Sequence, residues 1–210
     1  WPFLLKALGV TLMVSGASMI LGLILGILVA IGRTYGGRVL DIILGFYVDS
    51  MRAIPVLVIL VWGYFALPML TGHALPPIIA AILALGLHMA AYVAETVRAG
   101  LTSVRPGQMR AALALGMSRW QAIRVIILPQ ALVRMLPPLG SLLVIAIKDS
   151  AISSVIAVPE LIRQTQVLVS NTYLSFQLYS FTMVIFFLIA YPVAHGVEAV
   201  YRRVAHLGAS

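Results

Sequence analysis

The sequence predicts an all-α membrane protein with five transmembrane helices and a cytoplasmic helical hairpin between spans three and four. Three observations carry that prediction. The 210 residues are 62% hydrophobic and only 10% charged, with a mean hydropathy of +1.08, far outside the range of soluble domains. Uncharged runs long enough to cross a bilayer recur along the chain. The 14 Lys and Arg against 6 Asp and Glu gather between those runs, so the basic excess reads as membrane topology and not as affinity for nucleic acid. No cysteine is present, which excludes disulfides, thiolate metal sites and thiol chemistry.

The first span is read at about 5–32. Ala7 to Gly32 carries no charge and measures about 39 Å as a helix, enough for one tilted crossing. Within it Gly22 and Gly26 form a small-residue pair that lets another helix approach closely, either as ordinary packing or as a specific dimer contact. Arg33 and Arg38 mark a short basic loop. The first residue is Trp1, which leaves the native start open, and no signal peptide is assigned.

Ala53 to Ala94 is again free of formal charge and would measure about 63 Å as one helix, twice the hydrocarbon thickness. It is therefore two spans, at about 42–68 and 77–101, broken by Pro68, Thr71, Gly72, His73, Pro76 and Pro77. After a polar stretch at 103–134, span four is read at about 136–158. Span five is read at about 175–200, because Ser170, Asn171 and Thr172 are poor bilayer residues and Glu198, Arg202 and Arg203 end it. Loop arginines at 33, 38, 98 through 134, 202 and 203 then share one side, with Lys6 and Arg163 on the other. The positive-inside rule puts the N-terminus outside and the C-terminus in the cytoplasm. The chain reads as one transmembrane domain over 1–210.

The stretch from Ser103 to Pro138 holds Arg105, Arg110, Arg119, Arg124 and Arg134 with no acidic residue. Pro106 fits a first helical turn, Gly116 can end a helix and Ser118 can cap the next, giving two short helices. Ala111, Ala112 and Leu115 make one apolar face, and Trp120, Ile123, Ile126 and Ile127 another, as suits helices that rest on anionic lipid head groups or dock on a partner. Ala111, Ala112, Gly116, Ile126, Leu128 and Pro129 match the AA, G and I-x-LP of the cytoplasmic signature of bacterial ABC importer permeases. Arg110 stands where that signature has Glu. Met51 to Pro55 (MRAIP), Ala91 to Arg98 (AYVAETVR), Lys148-Asp149-Ser150 and Val158 to Leu161 (VPEL) extend the likeness over nearly the whole chain. The chain resembles the polar amino-acid uptake permeases, the histidine, glutamine, glutamate and arginine group.

That resemblance implies a type I importer in the bacterial plasma (inner) membrane. Two permease subunits, identical or related, would stand on two cytoplasmic ATPase subunits and face an extracytoplasmic amino-acid-binding protein. It implies that Gly107 to Arg119 docks on the ATPase. Ala111, Ala112 and Gly116 would be small for close approach, Arg110 or Arg119 would pair with an acidic rim, and Trp120 would be an anchor or would dip into lipid. No G-x-x-x-x-G-K-[ST] occurs, so the chain lacks a P-loop of its own. With no nucleophile elbow or metal-ligand cluster either, no catalytic residue, metal or cofactor is assigned.

Ionisable groups within or near spans are costly and so are functional candidates. Arg52, Glu95, Lys148 and Asp149 are the ones present. Arg52 can grip a carboxylate through two parallel hydrogen bonds, Asp149 can take an ammonium, and Ser150, Ser153 and Ser154 can add neutral donors and acceptors, so these five are the candidate solute site. Glu95, Arg98 and Lys148 are candidates for a gate or an ion-pair network, Glu95 pairing with Arg98 at i+3. The other reading of all these charges is a network that holds spans two, three and four together. His73 and His88 read as packing or hydrogen-bonding residues, and Trp62, Tyr64 and Phe65 as an interfacial belt. An ion-coupled secondary transporter, with Asp149, Glu95 and His88 carrying protons, is the alternative function, disfavoured by the lack of an inverted repeat. A non-transporting membrane scaffold is the second.

Overall fold

The computed structural model describes residues 2–205, and among these every regular element is a helix, with no strand. Its elements are α1 (Pro2–Tyr35), α2 (Gly37–Ala53), α3 (Val56–Thr71), α4 (Pro77–Ser103), α5 (Pro106–Ala114), α6 (Arg119–Ile156), α7 (Leu161–Thr172) and α8 (Ser175–Val204). Four of them, α1, α4, α6 and α8, are long and apolar enough to cross a membrane. The pair α2 and α3 adds a fifth when counted as one span broken by a 104° bend.

The bend falls inside the span read at about 42–68. Pro55 bars its predecessor from the helical region, so Ile54 is extended at φ −87°, ψ 130° and Pro55 follows at ψ 133°. Arg52 thus falls in the last turn of α2 and not mid-helix. Irregular backbone at membrane depth persists only where it is buried in protein or lines a cavity, and here it lines a cavity. The second difference lies in α6. The helix that begins at Arg119, in the polar stretch, runs on through a π-helical turn at Ile123–Ile127 and past Pro137 and Pro138 to Asp149, then tightens into a 3₁₀ turn at Ser150–Ile156. The second short helix of the hairpin and span four are therefore one continuous helix.

The core is built on α1 against α4, and small residues set their approach. A Cβ placed on Gly26 would lie 2.6 Å from the Val93 side chain and 2.8 Å from the Ala90 carbonyl oxygen, and one on Gly22 would lie 2.9 Å from Met89. The small-residue pair of span one therefore packs inside its own chain. Two buried apolar clusters line this seam, one around Val93, Ala94, Ala131 and Met135 and the other around Val14, Leu60, Ala81 and Ile156. The short helix α7 is clamped from both sides: Leu161 N donates to Thr11 Oγ1 of α1 at 3.1 Å, and the Thr165 and Thr182 hydroxyls bond at 2.7 Å to α8. Thr182 is the one buried residue of α8, which stands at the periphery with its apolar side chains uncovered.

Candidate functional site

The α2–α3 break, α4 and α6 enclose a cavity of about 440 Å³ whose polar lining is Arg52, His88, Tyr92 and Asp149. Pro55 creates the gap, because a continuous helix here would fill it with its own side chains. The cavity brings Arg52 and Asp149 to one space, and no ion pair joins them among the described residues. The Arg52 guanidinium lies 5.5 Å from the centre of the Tyr92 ring, a cation–π stack that holds a cation without cancelling its charge. An arginine and an aspartate in one largely apolar space form an arrangement that can receive a zwitterion.

The serines are not brought to that space. In a 3₁₀ turn, positions three apart eclipse one another, so Ser150, Ser153 and Ile156 share one face, and that face is buried in the core. Ser150 Oγ donates to the Ile147 carbonyl at 2.7 Å and Ser153 Oγ to the Ser150 carbonyl at 2.6 Å, and Ser154 is also buried. Lys148 points away from Asp149 into a separate cavity of about 370 Å³ between α6 and α8, shared with Ser141, Glu198 and Tyr201.

Glu95 sits between two arginines. Arg98 donates to both of its carboxylate oxygens, and Arg33 Nη1 donates to Oε2 at 3.2 Å while its Nε reaches Asp41 Oδ1 at 3.1 Å. The cluster ties α1, α2 and α4 together at one end of the bundle. Arg33, missed as a site residue by sequence reasoning, supplies the cross-link between elements, because a partner 62 positions away in the chain leaves no local signal.

The hairpin is a helix, a turn and a helix. Gly116 takes φ +82° and closes a Schellman turn, with Met117 N donating to Ala112 O at 3.1 Å and Gly116 N to Leu113 O at 3.0 Å. Ser118 and Gln121 form a reciprocal capping box at 2.8 and 3.2 Å. Gly107, Arg110, Ala111, Gly116 and Arg119 are exposed, as are Leu115 at 83% and Trp120 at 69%. Ala112 differs. It is 1% exposed, because α5 uses that position to pack on its own chain, so its small size serves the hairpin and not an outer surface.

Two buried polar groups escaped assignment as site residues. Glu160 is fully buried and caps α7, accepting from Ile162 N at 2.9 Å and Arg163 N at 2.7 Å. Burial pushes its carboxyl up to about 7, against those two bonds, which favour the charged form. A VPEL tetrapeptide shows a capping residue but not its burial. His88 packs on Tyr92 with ring centres 5.1 Å apart, and its Nδ1 is buried without a hydrogen-bond partner among the described residues.

Residues 22–206 match the family of binding-protein-dependent transport system inner membrane components. The glutamine transport system permease protein GlnP of Escherichia coli K12 is 35% identical over 203 residues, 96% of this chain and 93% of the relative. The probable amino-acid ABC transporter permease protein YckA of Bacillus subtilis is 34% identical, over 98% of this chain and 91% of that one. A crystal structure of an amino acid ABC transporter with histidines superposes with a TM-score of 0.91 at 33% identity, covering 96% of this chain and 94% of the other. An inward-facing MetNI methionine ABC transporter shares the fold at a TM-score of 0.77 and 21% identity.

Proposed function

The chain belongs to the family of binding-protein-dependent transport system inner membrane components, and on that premise we propose that it is the permease subunit of an ABC importer that carries a polar amino acid across the bacterial plasma membrane. The whole of 1–210 acts as one transmembrane domain of five spans, with the broken α2–α3 pair as the second. The cation and anion that share the cavity at the α2–α3 break carry this reading. Arg52 takes the solute carboxylate and Asp149 its ammonium. The chain itself catalyses nothing. ATP is hydrolysed on two cytoplasmic ATPase subunits, a second permease, identical or related, completes the path, and an extracytoplasmic amino-acid-binding protein delivers the solute.

Coupling runs through the hairpin. The exposed surface around Gly107, Arg110, Ala111, Gly116, Arg119 and Trp120 seats on the ATPase, and the unbroken α6 rod carries the displacement toward Asp149. Leu115 and Trp120 are apolar anchors of the kind that dominate interfaces, and the two arginines suit an acidic rim.

Asp149→Asn tests the cavity. Charge-assisted hydrogen bonds contribute about 1.5–3 kcal/mol, so uptake by the assembled complex falls about tenfold or more, or its solute selectivity changes, while ATPase activity persists. Loss of assembly with unchanged selectivity in the residual uptake makes Asp149 a structural ion and removes the reading.

Orientation follows the loop arginines, with Lys6 and His73 outside and Arg38, Arg119 and Arg203 in the cytoplasm. In a chain without cysteine, single cysteines at these positions label with a membrane-impermeant maleimide from opposite faces. Labelling of position 73 from the cytoplasmic face overturns this orientation.

A further inference from the structure

Arg52 and Tyr92 line not one cavity but two. Besides the space they share with Asp149 and His88, they border a second one of about 430 Å³, lined also by Glu95, Ser103, Arg134 of α6 and Pro138. The Arg52–Tyr92 stack is therefore the partition between the two spaces. The charges in the second are unequal in availability. Both oxygens of Glu95 are engaged by Arg98 and Arg33, so its charge is already countered. Arg134 uses only Nη1, which donates to the carbonyl and hydroxyl of Ser103, leaving the N–H groups of Nε and Nη2 uncommitted. Arg52 makes no salt bridge among the described residues.

We propose that the second cavity is an inner station for the carboxylate of the transported amino acid, and that Arg52, common to both spaces, passes the carboxylate from the Asp149 side to Arg134. This rests on the reading of the Asp149 cavity as the first site. A carboxylate leaving that cavity would otherwise have to shed its only cation inside the membrane, where a bare charge costs several kcal/mol or more. Arg52 lies on the dividing wall, and a flexible side chain there keeps one bidentate contact while the solute passes to a second guanidinium. Arg134 is thus a positioning residue for release and not for capture.

The experiment uses the complete transporter in proteoliposomes with tritiated L-glutamine, L-arginine and L-glutamate as probes, reading solute carried per ATP hydrolysed and the half-saturating outside concentration. Arg134→Gln, which can still bond Ser103, lowers solute carried per ATP at least tenfold with half-saturation within twofold of the parent. Arg134→Lys restores most of the loss. Parental transport per ATP in Arg134→Gln overturns the inner station. Equal losses in the Gln and Lys variants also overturn it, since they would show that a positive charge at this position is not what transport requires. The first site fails separately: if Asp149→Asn changes neither rate nor selectivity while the Arg134 pair behaves as stated, the inner station stands and the outer reading falls.

Discussion

Gly116→Trp abolishes uptake, to below about one-hundredth of the parent rate, and loosens the ATPase from the membrane subunit, while the chain still inserts and stays monodisperse in detergent. Two effects act at this position and the structure separates them. The backbone sits at φ +82°, where a residue with a Cβ is strained by about 1–2 kcal/mol. That strain is much the same for alanine and for tryptophan. A Cβ at Gly116 meets nothing of its own chain within 4 Å, so the indole finds no internal clash and its bulk is directed wholly outward. Gly116→Ala therefore reports turn strain alone and lowers uptake a few-fold at most, whereas Gly116→Trp adds a wedge at the docking surface. Normal uptake by the tryptophan variant removes the coupling role. Equal losses in both variants assign the effect to the turn itself.

The second large effect is on the fold. Gly26→Leu prevents α1 from seating on α4, and the purified chain aggregates or loses its thermal transition in detergent, whereas Gly9→Leu does not. Close contacts at Gly26 involve Val93 at 2.6 Å and the Ala90 carbonyl at 2.8 Å, and a carbonyl in a buried helix cannot rotate away as a side chain could. Overpacking of this kind typically costs about 1–3 kcal/mol, occasionally more. The backbone contact and the long α1–α4 seam put this site at or above the upper end, against about 0.8–1.0 kcal/mol gained in helix propensity. Gly9, with open space around its Cβ, keeps the propensity gain without the clash. A Gly26→Leu chain as stable as the Gly9→Leu chain would show that α1 and α4 are held apart elsewhere.

Much of this molecule is legible one residue at a time. Uncharged runs measured against the bilayer, arginines counted loop by loop and Pro106, Gly116 and Ser118 read as helix punctuation lead to an all-α membrane protein with a basic hairpin, and the signature around Ala111, Gly116 and Pro129 leads to the permease family. These features are local, since a proline's missing donor or a glycine's free φ acts on its immediate neighbours whatever lies across the bundle. The pairing of Glu95 with Arg98 is local in the same way, three positions apart on one helix.

What tertiary structure decided is where those residues meet. Pro55 announces a break but not a 104° turn of the chain, because the angle is set by what α3 packs against. Gly22 and Gly26 suit an outside partner and an inside one equally, and the choice fell to α4, whose Met89, Ala90 and Val93 happen to face them. Ser150 and Ser153 sit beside Asp149 in the sequence, yet they lie on a face of the helix that the bundle buries in the core, while Asp149, on another face, lines the cavity. Arg33 and Arg134 acquire their roles from residues far along the chain. The sequence by itself determined which segments are helical, which lie in the membrane and which charges had to be accommodated there. Only the packed bundle decided which charges share a cavity, because spatial proximity between helices depends on bends, crossings and close approaches to which every residue of the interface contributes and no single motif encodes.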